Sequence, residues 1–455
     1  MRRLVRTRPG GAGSGSQLPP RDPLGQRLLP QSVHYGWWIT VGAAVLMFVG
    51  VGVGYYGLAV FLRPLQEENG WSNAVVSGAT GAYFSIAGVT AALAGPQIDR
   101  RGPLKFMLVG VVMMGAAVSA VGYLTTVWQL YLTYTFLAIA FGLGTGTGVQ
   151  SILNRWFVTR RAQAMSIAFT GVSVGGMVLV PLGTYLIGRG GLRLAAPMMG
   201  ALVLIIGLPM VLAVLVWDPK QIDSQVDFDR PLEIKNQLLD ESVQMRTWTR
   251  REAATTAAFW SILLSFFLVL AAQTGFLLHQ LSFLEDRFGS GQIASLTLTV
   301  TAFGSIIARL VVGQFADRLA KRTLSVALFV IQAICVLGVA FIDNAVTTWI
   351  FVLIIGFTIG NIYMMQALLV SEIFGFASFA TVMGLISVAT QAGSGLGPFS
   401  VGWLEQQTGS YTLPFAVTAT VTLVAATLLV LAKPPAASAA TASPGRSLTN
   451  TCSRT

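Results

Sequence analysis

The chain has 455 residues, of which 54% are hydrophobic and 10% are charged, and its mean hydropathy is +0.69. Soluble domains carry about 25% charged residues, so this composition excludes a water-soluble enzyme. The net charge of +11 does not indicate a nucleic-acid-binding protein, because the basic residues are scattered between apolar segments. The two cysteines, Cys335 and Cys452, are too few and too poorly placed for a disulfide framework.

The first 34 residues contain six arginines among Gly, Pro and Ser, and they precede the first long apolar segment. A secretory signal peptide requires an apolar region directly after its basic start, and this segment has none. We therefore interpret residues 1–34 as a disordered cytoplasmic leader. A start codon assigned upstream of the native one explains the same segment equally well.

Twelve segments are apolar enough to cross a lipid bilayer, which takes about 20 apolar residues in a helix. We name them span 1 to span 12 in chain order. They cover residues 37–62, 73–95, 103–124, 127–150, 163–187, 194–217, 256–280, 291–313, 323–342, 347–370, 378–402 and 412–432. The fold predicted from this pattern is an all-α polytopic membrane protein with twelve transmembrane helices.

The connection 218–255 is longer than the other connections and carries eight acidic and six basic residues. It divides the spans six and six. We predict an N-terminal six-helix bundle over residues 35–217, a cytoplasmic central loop over 218–255 and a C-terminal six-helix bundle over 256–432. Residues 433–455 are predicted to be a disordered cytoplasmic tail.

The distribution of lysine and arginine predicts the orientation, since cytoplasmic segments of membrane proteins are enriched in both. If the N-terminus is cytoplasmic, 24 of the 29 basic residues lie in cytoplasmic segments. The opposite side has only Arg63, Arg189, Arg193 and Arg287, and Arg309 lies inside a span. Both termini are therefore predicted to be cytoplasmic, in a multi-pass protein of the plasma membrane.

A short motif is repeated at corresponding places in the two halves. The segment from Gly95 to Arg100, after span 2, matches the segment from Gly313 to Arg318, after span 8, at an offset of 218 residues. The same offset relates Gly175 in span 5 to Gly393 in span 11. The halves are therefore predicted to be two copies of one six-helix unit, and transporters built from such repeats bind their substrates between the units.

The motif Gly95-x-x-x-Asp99-Arg100-Arg101-Gly102 resembles the signature loop of the major facilitator superfamily. Within that superfamily, other stretches are similar to the branch of monocarboxylate transporters and oxalate:formate antiporters. These stretches are Tyr35–Trp38, Gly70–Ser72, Arg155–Phe157 with Arg160–Arg161, and several positions between Phe374 and Tyr411. The resemblance implies the major facilitator fold, with two bundles that rock about a small organic anion held between them.

Arg309 is the strongest candidate for a functional residue, because no other charged residue lies well inside a span. A central arginine costs about 2.5–3.5 kcal/mol on insertion scales, and its planar fork suits bidentate capture of a carboxylate. We interpret Arg309 as a substrate-binding cation. The alternative is a side chain that extends to the nearby membrane surface, since residue 309 is about one turn from the end of span 8.

The resemblance also implies an aspartate four residues before this arginine, and the chain has Ser305 there. Arg309 is therefore expected to have no resident counter-ion, and no carboxylate of span 8 can carry a proton. Tyr56 occupies the place of a span 1 lysine found in some monocarboxylate carriers, and span 11 lacks the lysine that a resemblance to the oxalate exchanger implies. The predicted site therefore has one cation, Arg309, and no second one, which favours a monoanionic substrate over a dicarboxylate.

Further polar residues inside the spans are candidates for lining a substrate cavity, although each could instead bond across a helix interface. They are Tyr55, Tyr56, Gln273, Asn361, Tyr363 and Gln391. His279, near the end of span 7, is the candidate for proton coupling because a histidine titrates near neutral pH. The alternative for His279, which we favour, is a hydrogen-bonded residue of a helix interface.

The signature loops comprise Gly95, Asp99, Arg100, Arg101, Gly102, Gly313, Asp317 and Arg318. The simplest explanation of these loops is that their charges set the membrane topology. That explanation does not account for the glycine that lies four residues before each aspartate. Glycine permits close helix approach, and an aspartate can cap the N–H groups of a helix terminus. By resemblance, these loops are predicted to hold the cytoplasmic side closed in one conformation.

The sequence has no motif for a catalytic site, a metal or a cofactor. Neither the phosphate-binding pattern G-x-x-x-x-G-K-[ST] nor the zinc pattern H-E-x-x-H occurs. The chain is thus predicted to be a secondary transporter of a small organic anion, in particular a monocarboxylate, with a proton or a counter-anion as coupling partner. The alternatives are a drug or metabolite exporter, suggested by Gly171, Gly175 and Gly176, and a non-transporting sensor on the same fold.

Overall fold

The structure is a computed structural model that describes residues 34–219, 247–288 and 291–431. The predicted leader before His34, most of the central loop and the tail lie outside these residues. The helices are Tyr35–Gly54 and Tyr56–Asn69 (span 1), Asn73–Arg101 (span 2), Leu104–Val121 (span 3), Val127–Gly144 and Gly146–Trp156 (span 4), Arg161–Pro209 (spans 5 and 6), Arg250–Ala254, Ala257–Phe288 (span 7), Gly291–Phe315 (span 8), Lys321–Phe341 (span 9), Ala345–Phe374 (span 10), Phe379–Thr408 (span 11) and Thr412–Val430 (span 12).

Every predicted span falls on a helix. In the described part of the chain, ten helices are long and apolar enough to cross a membrane. One of them, Arg161–Val214, contains both span 5 and span 6. The backbone is non-helical at Gly190 and Gly191, and this break separates the two spans. Gly191 has a φ of +66°, which glycine adopts without a Cβ penalty. Span 2 is not among the ten, since small and polar residues make its helix less apolar.

Two spans predicted as continuous helices are interrupted. Span 1 is interrupted at Tyr55 and span 4 at Thr145, where φ is −110° and −117°, within the right-handed region but distorted from the α-helical value. Periodicity and composition did not indicate these breaks, because the apolar pattern continues through both positions. Several spans also extend past their predicted ends, since a helix continues beyond the apolar core that defines a span.

The two bundles meet along two pairs of helices, span 2 with span 11 and span 5 with span 8. Glycines permit the close approach in both pairs. A Cβ at Gly95 would lie 2.3 Å from the backbone oxygen of Ala380, and one at Gly313 would lie 2.3 Å from the Cβ of Ser166. Both contacts lie near the ends of spans 2 and 8 that lead into the signature loops. We call this end of the molecule the signature face.

Candidate functional site

The Arg309 side chain is buried, with an exposed fraction of 4%. Its Nε donates to the backbone oxygen of Gly360 in span 10 at 2.6 Å, and its Nη1 donates to the hydroxyl of Ser173 in span 5. The backbone oxygen of Arg309 accepts a bond from Ser166, also in span 5. The guanidinium therefore lies between the two bundles and does not extend to the membrane surface.

Ser305 and Ser173 form a short polar network beside this cation. Their hydroxyl oxygens are 2.9 Å apart, and Ser305 donates to the backbone oxygen of Ala302 at 2.9 Å. Within the described residues, Arg309 has no carboxylate within ion-pair distance. The cation is thus held by neutral acceptors, which leaves its charge available to an anion.

Arg309 lines a cavity of about 190 Å³ between the bundles. A cavity needs about 10–15 Å³ to admit one water molecule, so this one has room for a small organic molecule. Five of the other predicted residues also line it, namely Tyr55, Tyr56, Gln273, Tyr363 and Gln391. Asn361 is fully buried and is not among the lining residues, and its Nδ2 donates to the backbone oxygen of Phe357 at 3.0 Å.

The helix breaks position part of the cavity wall. Tyr55 and Tyr56 lie at the break of span 1, and Gly146 and Thr147 lie directly after the break of span 4. Residues on both sides of the two breaks therefore contribute to the wall. Phe141 and Phe169 add two more aromatic rings to the cavity wall.

Two further glutamines of the cavity were not among the predicted site residues. Gln150 in span 4 and Gln366 in span 10 line it, with exposed fractions of 4% and 1%. Each has one amide atom that is buried without a hydrogen-bond partner in the described part of the chain. A buried amide without a partner costs about 1–3 kcal/mol. An amide inside an apolar span is the sequence signal that could have identified both residues.

His279 lies at a helix interface of the C-terminal bundle and is not among the residues that line the cavity. Its Nε2 is 3.0 Å from the backbone oxygen of Pro398, and its Nδ1 is 3.4 Å from the Tyr411 hydroxyl. These contacts match the interface alternative. A role in proton coupling stays a prediction.

Each signature aspartate contacts the first turn of a helix in the opposite bundle. Asp99 accepts bonds from the backbone N–H groups of Ala380 (3.0 Å) and Thr381 (2.7 Å), and from the Thr381 hydroxyl (2.6 Å). Asp317 accepts bonds from the backbone N–H groups of Ala162 (2.8 Å) and Gln163 (3.3 Å). Unpaired N–H groups and the helix dipole make a helix N-terminus favourable for a carboxylate.

The two contacts repeat the 218-residue offset position by position, since Ala162 and Gln163 correspond to Ala380 and Thr381. The structure therefore has its signature face closed by two equivalent contacts between bundles. Of the remaining signature residues, Arg100, Arg101 and Arg318 are exposed. Gly102 has a φ of +81°, and a Cβ there would lie 2.6 Å from the Trp217 ring.

Burial raises the pKa of the Asp99 carboxyl from 3.8 to about 6, although bonds from Thr381 and Ala380 and the charge of Arg155 lower it. Burial also raises the pKa of Asp317, against the bonds from Ala162 and Gln163. The ionised carboxylates are thus costly to bury, and closing the face favours proton uptake.

We expect the closed signature face to lose stability relative to the open one as the pH rises through about 6. In the open conformation water returns the carboxyl to its ordinary pKa. A group whose pKa is raised by closure stabilises the closed form fully below about 3.8 and loses that contribution above about 6. Spin labels at the exposed positions Lys105 and Leu319 would report the opening by double electron–electron resonance. Asp99→Asn should flatten the pH dependence, and an equally steep profile in that variant would contradict the assignment.

The chain is similar in sequence or in fold to several known proteins. Rat Monocarboxylate transporter 13 is 25% identical over 321 residues, which cover 68% of this chain and 69% of the relative. The Oxalate:formate antiporter of Oxalobacter formigenes is 28% identical over 150 residues, which cover 32% of this chain and 34% of the antiporter. The crystal structure of the human organic anion transporter MFSD10 (TETRAN) superposes with a TM-score of 0.68 at 15% identity, over 87% of this chain and 99% of that one. That likeness concerns the fold.

The family profile described as Major Facilitator Superfamily matches residues 43–398 and 280–451. The first match alone extends over most of the chain. The two copies of the signature loop, the pseudo-symmetric contacts that they make and the cavity between the bundles agree with this match. The chain is a multi-pass membrane transporter that belongs to the major facilitator superfamily.

Proposed function

We propose that this transporter moves a small organic monocarboxylate across the membrane by alternating access. The observation that carries the proposal is Arg309, a buried cation that lines the central cavity and has no carboxylate partner among the described residues. Leaving such a charge uncompensated is costly, and a substrate carboxylate would compensate it. The names of the relatives, a monocarboxylate transporter and an oxalate:formate antiporter, support the same class of substrate.

The composition of the cavity favours a monoanion. Among the described residues that line it, Arg309 is the one charged residue, and the others are apolar, aromatic or neutral polar side chains. A second carboxylate would enter without a cation to balance it, at the cost of desolvating a charge. The same net positive site disfavours the lipophilic cations that a drug exporter would bind. Neutral hydrogen-bonding groups such as the Gln273 and Gln366 amides can contact the uncharged part of the substrate.

The closed signature face supplies one of the two states that alternating access requires. We propose that this face is cytoplasmic, together with both termini, because the basic residues of the chain concentrate on that side. The bundles over residues 35–217 and 256–432 would then rock about the cavity, with the 218–255 loop as their connection. The protein would reside in the plasma membrane and take no cofactor.

The decisive experiment is uptake of labelled L-lactate, pyruvate and benzoate into proteoliposomes, together with thermal-shift measurements on the purified protein. We expect saturable uptake and stabilisation by at least one of these monocarboxylates, and much weaker stabilisation by oxalate. Extrusion of a lipophilic cation without uptake of any anion would contradict the proposal.

We expect coupling to protons to be shallow and to depend on His279, or to be replaced by anion exchange. No aspartate or glutamate lies well inside a span, and arginine does not release its proton in a working pH range. Uptake would be measured against an imposed pH gradient for the parent, His279→Gln and the control His34→Gln, which changes the other histidine. Strong accumulation that His279→Gln leaves intact would show that another proton carrier exists. Replacing Ser305 with Asp should make the coupling steeper.

A further inference from the structure

The Arg309 guanidinium has two anchors, and they belong to different bundles. Gly360, which accepts from Nε, lies in span 10 of the same bundle. Ser173, which accepts from Nη1, lies in span 5 of the opposite bundle. When the bundles rock, the Gly360 anchor moves with Arg309, whereas the Ser173 anchor can persist only while spans 5 and 8 remain in contact.

The hydrogens of the serine network have one consistent arrangement. The single hydroxyl proton of Ser305 is donated to the backbone oxygen of Ala302. In its 2.9 Å contact with Ser305, Ser173 therefore acts as the donor and Ser305 as the acceptor. The lone pairs of Ser173 then face Arg309, and a bond from a charged donor to such an acceptor is stronger than a neutral one.

Fixing the guanidinium plane prepares it for a carboxylate. Of the five N–H groups of an arginine, the two anchors engage one on Nε and one on Nη1, which leaves the second Nη1 hydrogen and both Nη2 hydrogens for a ligand. The side chain of an arginine loses considerable rotational freedom when it is held. If the protein has already restricted that freedom before the substrate arrives, binding is tighter.

We propose that Ser173 is a positioning residue that raises the carboxylate affinity of Arg309 when the signature face is closed and releases Arg309 when that face opens. The affinity of the site then differs between the two states of the transporter, and the substrate is bound more weakly where the signature face is open. This inference rests on the proposed binding of a carboxylate at Arg309. It also gives a role to the serine that stands at position 305.

The test is the dissociation constant of L-lactate, pyruvate and benzoate, measured by isothermal titration calorimetry on the purified protein. Ser173→Ala should weaken binding about fivefold, the factor expected for one net hydrogen bond. Ser173→Thr keeps the hydroxyl and should restore most of the affinity. Ser166→Ala is the matched control, because Ser166 lies two turns earlier in span 5 and bonds to the backbone of Arg309, not to its guanidinium. That control should change the constant by less than about twofold.

A second arm uses Gly95→Val, which prevents closure of the signature face because the new side chain meets the Ala380 backbone. In that background the Ser173 anchor is already lost, so Ser173→Ala should have no further effect on binding. Thermal unfolding of each variant confirms that it is folded. The inference is overturned if Ser173→Ala leaves binding unchanged, if Ser166→Ala weakens it equally, or if the Ser173 effect persists beside Gly95→Val.

The two proposals fail in different ways. If the monocarboxylates bind to the parent and not to Arg309→Gln, the proposed function stands whatever the Ser173 variants show. If none of them binds, or if Arg309→Gln binds them as well as the parent, the proposed function is wrong and the role of Ser173 falls with it.

Discussion

Replacing Arg309 with lysine should abolish uptake of the substrate while leaving expression and membrane insertion near normal. Lysine keeps the positive charge but has no planar fork, so it cannot donate to Gly360 and Ser173 and also present paired N–H groups to a carboxylate. Hydrogen bonds to charged groups are worth about 1.5–3 kcal/mol, so losing one of them alone predicts a decrease in uptake of about 10- to 150-fold, and losing the paired geometry as well takes uptake to background. The measurement is initial uptake rate in proteoliposomes.

Arg287→Lys is the matched control for this experiment. Arg287 lies beyond span 7, in the last turn of its helix, and it donates to the Asp343 carboxylate and the Val339 backbone oxygen, but it does not line the cavity. Its replacement should leave uptake within a few-fold of the parent. Full uptake in Arg309→Lys would show that position 309 needs only a charge, and the assignment of Arg309 to the substrate carboxylate would be wrong.

Replacing Gly95 with valine should trap the transporter with its signature face open and stop turnover. The nearest atoms to a Cβ at this position are the oxygen and carbon of the Ala380 backbone and the Cα of Thr381, at 2.3, 2.8 and 2.9 Å. Backbone atoms cannot rotate away as a flexible side chain can, so spans 2 and 11 must separate. The separation also breaks the contacts of Asp99 with Ala380 and Thr381.

Spin labels at Lys105 and Leu319 would measure the widening of the face by double electron–electron resonance, beside the uptake rate. Gly81→Val is the control, since Gly81 lies in the same helix and a Cβ there meets no atom within 4 Å. Gly397→Ala separates the effect from misfolding, because that Cβ would meet the Ala271 backbone inside one bundle and should lower expression. Normal turnover in Gly95→Val would mean that the closed contact between spans 2 and 11 is not part of the transport cycle.

The sequence alone determined the spans and their pairing into repeats. A helix of about 20 apolar residues matches the thickness of the bilayer. This requirement applies to each helix separately, so each span can be recognised without tertiary information. The 218-residue offset likewise depends only on residue identities, and it predicted that the two signature loops would be equivalent. Arg309 could be identified for the same reason, because a charge inside an apolar span is visible without knowledge of its neighbours.

The atoms that those residues contact follow from the packing of the helices. Asp99 and Thr381 are 282 residues apart, and Arg309 and Ser173 are 136 apart, so no local pattern pairs them. The helix breaks at Tyr55 and Thr145 escape sequence reasoning because the apolar pattern continues through both. In the sequence, Gln150 and Gln366 cannot be distinguished from amides that bond across a helix interface. The packing of the helices places both in the wall of one cavity. The composition of each span is thus enough to predict that it crosses the bilayer. The chemistry of the site depends on contacts between helices that are far apart in the sequence.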